Sequence, residues 1–140
     1  MGDRITTGSK LVDDILEGGL EPEVTTTIYG ASGSGKTNLA ILIALSSAEK
    51  GKVIFIDTEG GLSIDRIKQM FPKTHLKRLS NLIIKKPTSF QEQNDVFAEL
   101  ETMVEKQKPL LIVVDSISML YRLEKGEREA SAVNNDMARQ

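Results

Sequence analysis

Short runs of Val, Ile and Leu alternate along the chain with longer segments whose apolar residues recur at helical spacing, the pattern of a parallel α/β sheet. From Ser9, "SKLVDDILEGG" sets Leu11, Ile15 and Leu16 on one face, with Ser9 as N-cap and Gly18-Gly19 as the stop, which predicts a short amphipathic helix. The β-branched "VTTTIY" of residues 24–29 predicts a first strand running straight into a Gly-rich stretch. Then "KTNLAILIALSSAEK" is apolar around most of its circumference, as a buried helix is, and ends before Gly51. "VIFID" is continuous in apolar residues, as strands covered on both faces are. A helix from residue 63 to about 71, a break at Pro72, a second short helix and a third strand near "NLIIKK" follow. Ser89 opens the longest helix, Glu92 completes a capping box, and Phe90, Phe97, Leu100, Met103 and Val104 mark the apolar face. "LLIVVDS", from Leu110, predicts a fourth strand, and the polar segment after it a loop and the start of another helix.

The Gly-rich stretch is "GASGSGKT", and its G-x-x-x-x-G-K-[ST] spacing falls between a predicted strand and a predicted helix, the context in which the pattern cradles phosphate. Gly30, Gly33 and Gly35 let the backbone turn tightly with N–H groups facing one centre, and the small Ala31, Ser32 and Ser34 leave that centre open. The helix starting near Lys36 adds the positive end of its dipole. Lys36 is placed to reach the β and γ phosphates, Thr37 to coordinate Mg²⁺ through its hydroxyl, and Asn38 completes the candidate nucleotide-binding stretch. The plainer alternative is a Gly/Ser-rich turn that happens to carry Lys and Thr.

Asp115 ends the apolar run "LLIVVD", so a buried strand delivers a second Mg²⁺-anchoring carboxylate to the carboxyl edge of the sheet, where ligands bind. Alone it reads equally as a turn residue. Hydrolysis also needs a group that orients or deprotonates water. Glu59, just past "VIFIDT" on the same edge, is the candidate, with a solvated loop acid as the alternative; Asp57 reads as a brace for that loop.

Composition narrows the setting. The 140 residues, 39% hydrophobic, suit one domain. A formal net charge of -2 lacks the footprint of a strongly DNA-binding domain, so nucleic acid has to be argued in another way. Zero cysteines exclude disulfides, thiolate metal sites and Cys nucleophiles, and point to a cytoplasmic setting. No apolar run approaches a membrane span; Gly2 and Thr6 meet the minimal N-myristoylation pattern, but nothing else points to a membrane. Between residues 66 and 86 stand Arg66, Lys68, Lys73, Lys77, Arg78, Lys85 and Lys86 with no acid, a run that could steer a polyanion but reads more plainly as a solvated edge. Aromatic platforms for single strands are scarce, and Tyr121 and Arg122 read as an edge contact.

Taken together, "TTGSKLVDDILEGGL", "GASGSGKT", "FIDTEGGLSIDRI" and "LLIVVDSISMLYR" occur in the order found in the RecA-type recombinase ATPases. The chain resembles that family from Ile5 onward, and with no helical DNA-binding module before "TGSK" it is most similar to the archaeal recombinase paralogues. "DTEGG" with "VVDSIS" is far more restrictive than the phosphate loop alone.

The resemblance implies a RecA-like, three-layer α/β P-loop ATPase with a mainly parallel sheet, acting in recombinational DNA repair. ATP and Mg²⁺ would sit at Lys36, Thr37 and Asp115; Glu59 matches the family's catalytic glutamate and Arg66, in "IDRI", the arginine near the adenine. Implied partners are single-stranded DNA, touched mostly outside this chain, and the main recombinase or further copies of the protein. The family's sensor strand and DNA loops lie beyond "LYR" and the next helix, so residues 1–140 read as the N-terminal portion of one core. Its sheet is expected to lack the member between the Asp115 strand and the strand before Gly30. Glu23 stands where the family has Gly, so the turn there is expected to differ. Two other readings remain: a mediator that holds ATP without hydrolysing it and docks on the main recombinase, and a P-loop small-molecule kinase, which would need an acceptor pocket and an Arg-rich lid.

Overall fold

The structure, a computed structural model, describes residues 3–117; the expectations for Gly2, Tyr121, Arg122 and the polar segment around them lie outside the described residues. Three strands form a parallel sheet in the order β2-β1-β3: β1 (Val53–Asp57), β2 (Leu82–Lys85) and β3 (Leu111–Asp115). In register, Val53 faces Leu82 on one side and Leu111 on the other, and Asp57 faces Asp115 at the carboxyl edge. All five residues of β1 are buried, as its unbroken apolar run predicts for a central strand. Among the described residues there are also five helices, of which α2 packs on all three strands: α1 (Lys10–Ile15), α2 (Lys36–Ala48), α3 (Ile64–Met70), α4 (His75–Leu79) and α5 (Phe90–Gln107). The α/β class with a parallel sheet is therefore as expected.

The core gathers Ile41, Ala44, Leu45 and Ala48 of α2, Val53 and Phe55 of β1, and Leu62 and Ile67 beside α3. Phe55 is fully buried, so truncating it to Ala costs roughly 3–5 kcal/mol. This packing fixes the start of α2 relative to the end of β1, and those two points carry the candidate site. On α5, Phe90 is buried and Phe97, Leu100 and Met103 half-buried, while Val104 is exposed.

Caps account for where the helices begin. The hydroxyls of Ser9, Ser63 and Ser89 accept from the N–H groups of Val12, Arg66 and Glu92. The expected capping box is shifted by one residue: Glu92 accepts from the N–H and hydroxyl of Thr88, not from Ser89, and the two bonds hold its carboxyl below the usual range. At the end of α1 the positive-φ run starts at Glu17, at φ 57°, and continues through Gly18 and Gly19. Glu17 donates to the Asp14 carbonyl and Gly18 to that of Asp13, a Schellman arrangement one position earlier than the Gly-Gly stop predicts.

Two other expectations are corrected. On α1, Leu11 and Ile15 are exposed, and the half-buried pair is Val12 and Leu16, which borders a cavity of about 270 Å³ with Leu20, Leu39 and Ile43. Polar bonds set the helix's rotation: Asp13 accepts from the hydroxyls of Thr6 and Thr7 and the N–H of Thr7, which lowers its pKa and turns this side of α1 toward the preceding segment. Residues 24–29 form no strand among the described residues, and Val24, Ile28 and Tyr29 are exposed. β-Propensity becomes a strand only against a partner backbone, and residues 24–29 pair with none of the three strands. Glu23 takes a left-handed conformation, at φ 65°, a region that favours glycine.

The basic run divides on inspection. Arg78 is buried: its Nη1 donates to the Leu45 carbonyl at 2.7 Å, its Nε to Thr74 Oγ1 at 2.9 Å, Nη2 lies 3.4 Å from Glu49, and the guanidinium stacks 4.0 Å above Phe71. Lys86 Nζ donates to the Leu62 carbonyl. Arg78 is thus an internal fastening and Lys86 a tether from the surface, while Lys68, Lys73 and Lys77 are exposed, in line with a solvated edge.

Candidate nucleotide-binding site

Gly35, at φ 94°, is the N-cap of α2, and no side chain caps the helix start, so its first N–H groups stay available to an anion. Residues 30–35 are exposed. Lys36 folds back over them: Nζ donates to the carbonyls of Gly30 and Ala31 at 2.8 Å each and lies 3.5 Å from Ser34 Oγ. These bonds hold the ammonium over the loop. Ser34 N–H donates to the Ala31 carbonyl, closing the turn. Ser32, Gly33 and Asn38 lie on the same exposed rim, and Thr37 is half-buried in the first turn.

The second component is the loop after β1. Asp57, almost fully buried, accepts through Oδ1 from the N–H groups of Glu59 and Gly60 and through Oδ2 from that of Leu62. It is the brace expected from its position. Glu59 rides on this loop with its side chain exposed, 3.5 Å from Ser116 Oγ at closest. Gly61 abuts the methyl group of Thr37, so the loop carrying Glu59 touches the residue that ends the phosphate motif.

Asp115 completes the edge. Its carbonyl accepts from Thr58 N–H, continuing the β1–β3 pairing past Asp57. The Asp115–Ser116 peptide bond is cis, and the Thr58 hydroxyl donates to the Ser116 carbonyl and accepts from its N–H. Asp115 Oδ2 is buried and has no hydrogen-bond partner among the described residues. A buried carboxylate oxygen without a donor is costly unless a cation meets it. No group of three or more metal-ligating side chains occurs among the described residues. That donor set suits Mg²⁺, which binds through one or two protein oxygens plus substrate phosphates and waters rather than through a protein cage.

The structure therefore brings together the phosphate loop, Thr37, the Glu59 loop and Asp115. It does not bring Arg66 into the group by any contact: Arg66 is half-buried on α3, and its guanidinium makes no hydrogen bond or ion pair among the described residues. Sequence reasoning missed Thr58, Gly61 and Ser116. All three lie inside the quoted motifs, but their roles depend on the register that sets the ends of β1 and β3 side by side.

The chain is also similar to known proteins. The chain is 39% identical over 132 residues to the DNA repair and recombination protein RadB of Methanobrevibacter smithii, covering 92% of this chain and 56% of that protein. It is 42% identical over 142 residues to RadB of Methanothermobacter thermautotrophicus, covering 98% and 58%. With RadB of Methanococcus maripaludis it shares 44% identity over 115 residues, 81% of this chain and 52% of the relative. The chain thus spans about half the length of the curated relatives it matches. The family model for Rad51 matches residues 3–140, nearly the whole chain, and the chain belongs to the Rad51 family.

Proposed function

We propose that this protein is an ATP-binding, slowly ATP-hydrolysing protein of DNA repair and homologous recombination, whose nucleotide state controls its binding to DNA or to a recombinase. The observation that carries the nucleotide part is the buried Asp115 oxygen, without a partner among the described residues, on the sheet edge that also holds Glu59, whose loop touches Thr37. The recombination part rests on family membership and on the printed function of the RadB relatives.

In this reading residues 30–38 bind ATP, with the start of α2 and Lys36 holding phosphate oxygens. Thr37 and Asp115 hold Mg²⁺, which when bound neutralises phosphate charge as it develops. Glu59 orients water and takes its proton, and the Asp57 bonds keep the acid at the edge. Arg66 flanks the adenine. DNA and recombinase contacts involve surface beyond the described residues, and work on DNA sets the protein in the cytoplasm. No helix among the described residues is long and apolar enough to cross a membrane.

The test is ATP turnover by the full-length protein with and without single-stranded DNA. Slow turnover that DNA or recombinase modulates is expected. ATP binding with no turnover under any of these conditions would establish the non-hydrolysing mediator instead.

A further inference from the structure

Two adjacent glycines after Glu59 are glycines for opposite reasons. Gly60 is at φ 74° with open space where a Cβ would lie, so its backbone conformation selects glycine. Gly61 has no such φ, and alanine would fit its backbone. A Cβ on Gly61, however, would stand 2.7 Å from the Thr37 methyl carbon and 3.9 Å from Thr37 Cβ and Oγ1. The space a side chain would take is filled by Thr37.

Neither party to this contact can back away cheaply. Gly61 lies between two tethered neighbours, since Gly60 and Leu62 both donate their N–H groups to Asp57 and the Leu62 carbonyl accepts from Lys86. Thr37 is β-branched and in the first turn of α2, where rotation about χ1 is the only freedom its methyl has. Rotation that removes the methyl from Gly61 swings the hydroxyl to another staggered position. The missing side chain of Gly61 therefore holds the rotamer of Thr37.

We propose that Gly61 is a positioning residue for the metal: the Thr37 methyl packed on its bare Cα aims the Thr37 hydroxyl and locks the Glu59 loop to the phosphate loop. This rests on the reading of Thr37 as a Mg²⁺ ligand. A residue acting through a ligand in this way changes metal affinity by about 10–100-fold.

The experiment measures ATP affinity of the full-length protein by calorimetry with and without Mg²⁺, together with thermal melting, for wild type, Gly61→Ala, Thr37→Ser and the double substitution. Thr37→Ser removes the colliding methyl and keeps a hydroxyl. Gly61→Ala is expected to cut the Mg²⁺-dependent gain in ATP affinity about 10–100-fold, with Mg²⁺-free affinity held. In the Thr37→Ser background the same substitution is expected to lose most of that effect, and any fall in melting temperature with it. A Gly61→Ala protein that gains affinity with Mg²⁺ as wild type does would overturn the proposal. So would a defect of equal size in both backgrounds, which would place the fault in the loop itself. Wild type with no Mg²⁺-dependent gain would instead overturn the functional reading beneath it.

Discussion

The two loops that meet at the candidate site are built in opposite ways. The loop after β1 is stitched from within: Asp57 accepts three backbone N–H groups, and Thr58 binds both the N–H and the carbonyl of Ser116 across the sheet edge. The phosphate loop is exposed and has one internal backbone bond, Ser34 to Ala31, besides the reach of Lys36, and the helix behind it starts without a side-chain cap. One loop uses its donors to hold a shape; the other leaves them for a ligand. The difference separates positioning from binding, so substitutions in the two loops should fail in different measurements.

The sharpest division is at Glu59, whose N–H joins the stitching while its exposed side chain has only the Ser116 hydroxyl within 3.5 Å. Glu59→Gln is expected to lower ATP turnover by about 10²- to 10⁴-fold. Its ATP affinity and melting temperature should match wild type, as calorimetry and thermal melting would record. Unchanged turnover would make Glu59 a solvated loop acid. Next is Asp57→Ala, which leaves three backbone donors without an acceptor and should destabilise the protein by about 3 kcal/mol in urea unfolding. Lys36→Ala probes the other loop. Its bonds to Gly30 and Ala31 are exposed, so stability should hardly change while ATP affinity falls about 10- to 100-fold, the worth of charge-assisted hydrogen bonds. A loss of stability there, or none at Asp57, would erase the contrast.

What the sequence made legible was local. Ser9, Ser63 and Ser89 begin helices because each supplies an oxygen to an N–H three residues on, a relation confined to one turn. β1 is legible because five consecutive apolar residues suit a strand covered on both faces. Asp57 could be read as a brace from its place after that run. Residues 24–29 have the same β-branched character without the partner that would make them a strand. Arg78 read as one charge in a basic run because nothing near it in sequence announces the Leu45 carbonyl, 33 positions away. The α1 face was misread because Asp13's bonds to Thr6 and Thr7 set the helix's rotation, and a purely apolar count ignores them. Gly61 was hidden for a similar reason: its reason for being glycine is a methyl group on another element.

The strand order also has a consequence in time. β1 is the middle strand, yet both of its neighbours follow it in the chain, and β3 follows at a distance of roughly sixty residues, about 3–12 s of synthesis at typical rates. During that interval Val53–Asp57, the most buried stretch of the sheet, gains β2 on one edge but has no strand on the other. A ribosome pausing before Leu111 would hold out an apolar strand with one open edge, the kind of segment that chaperones bind and aggregates recruit. The half-made chain, more than the finished one, is where this protein would need protection.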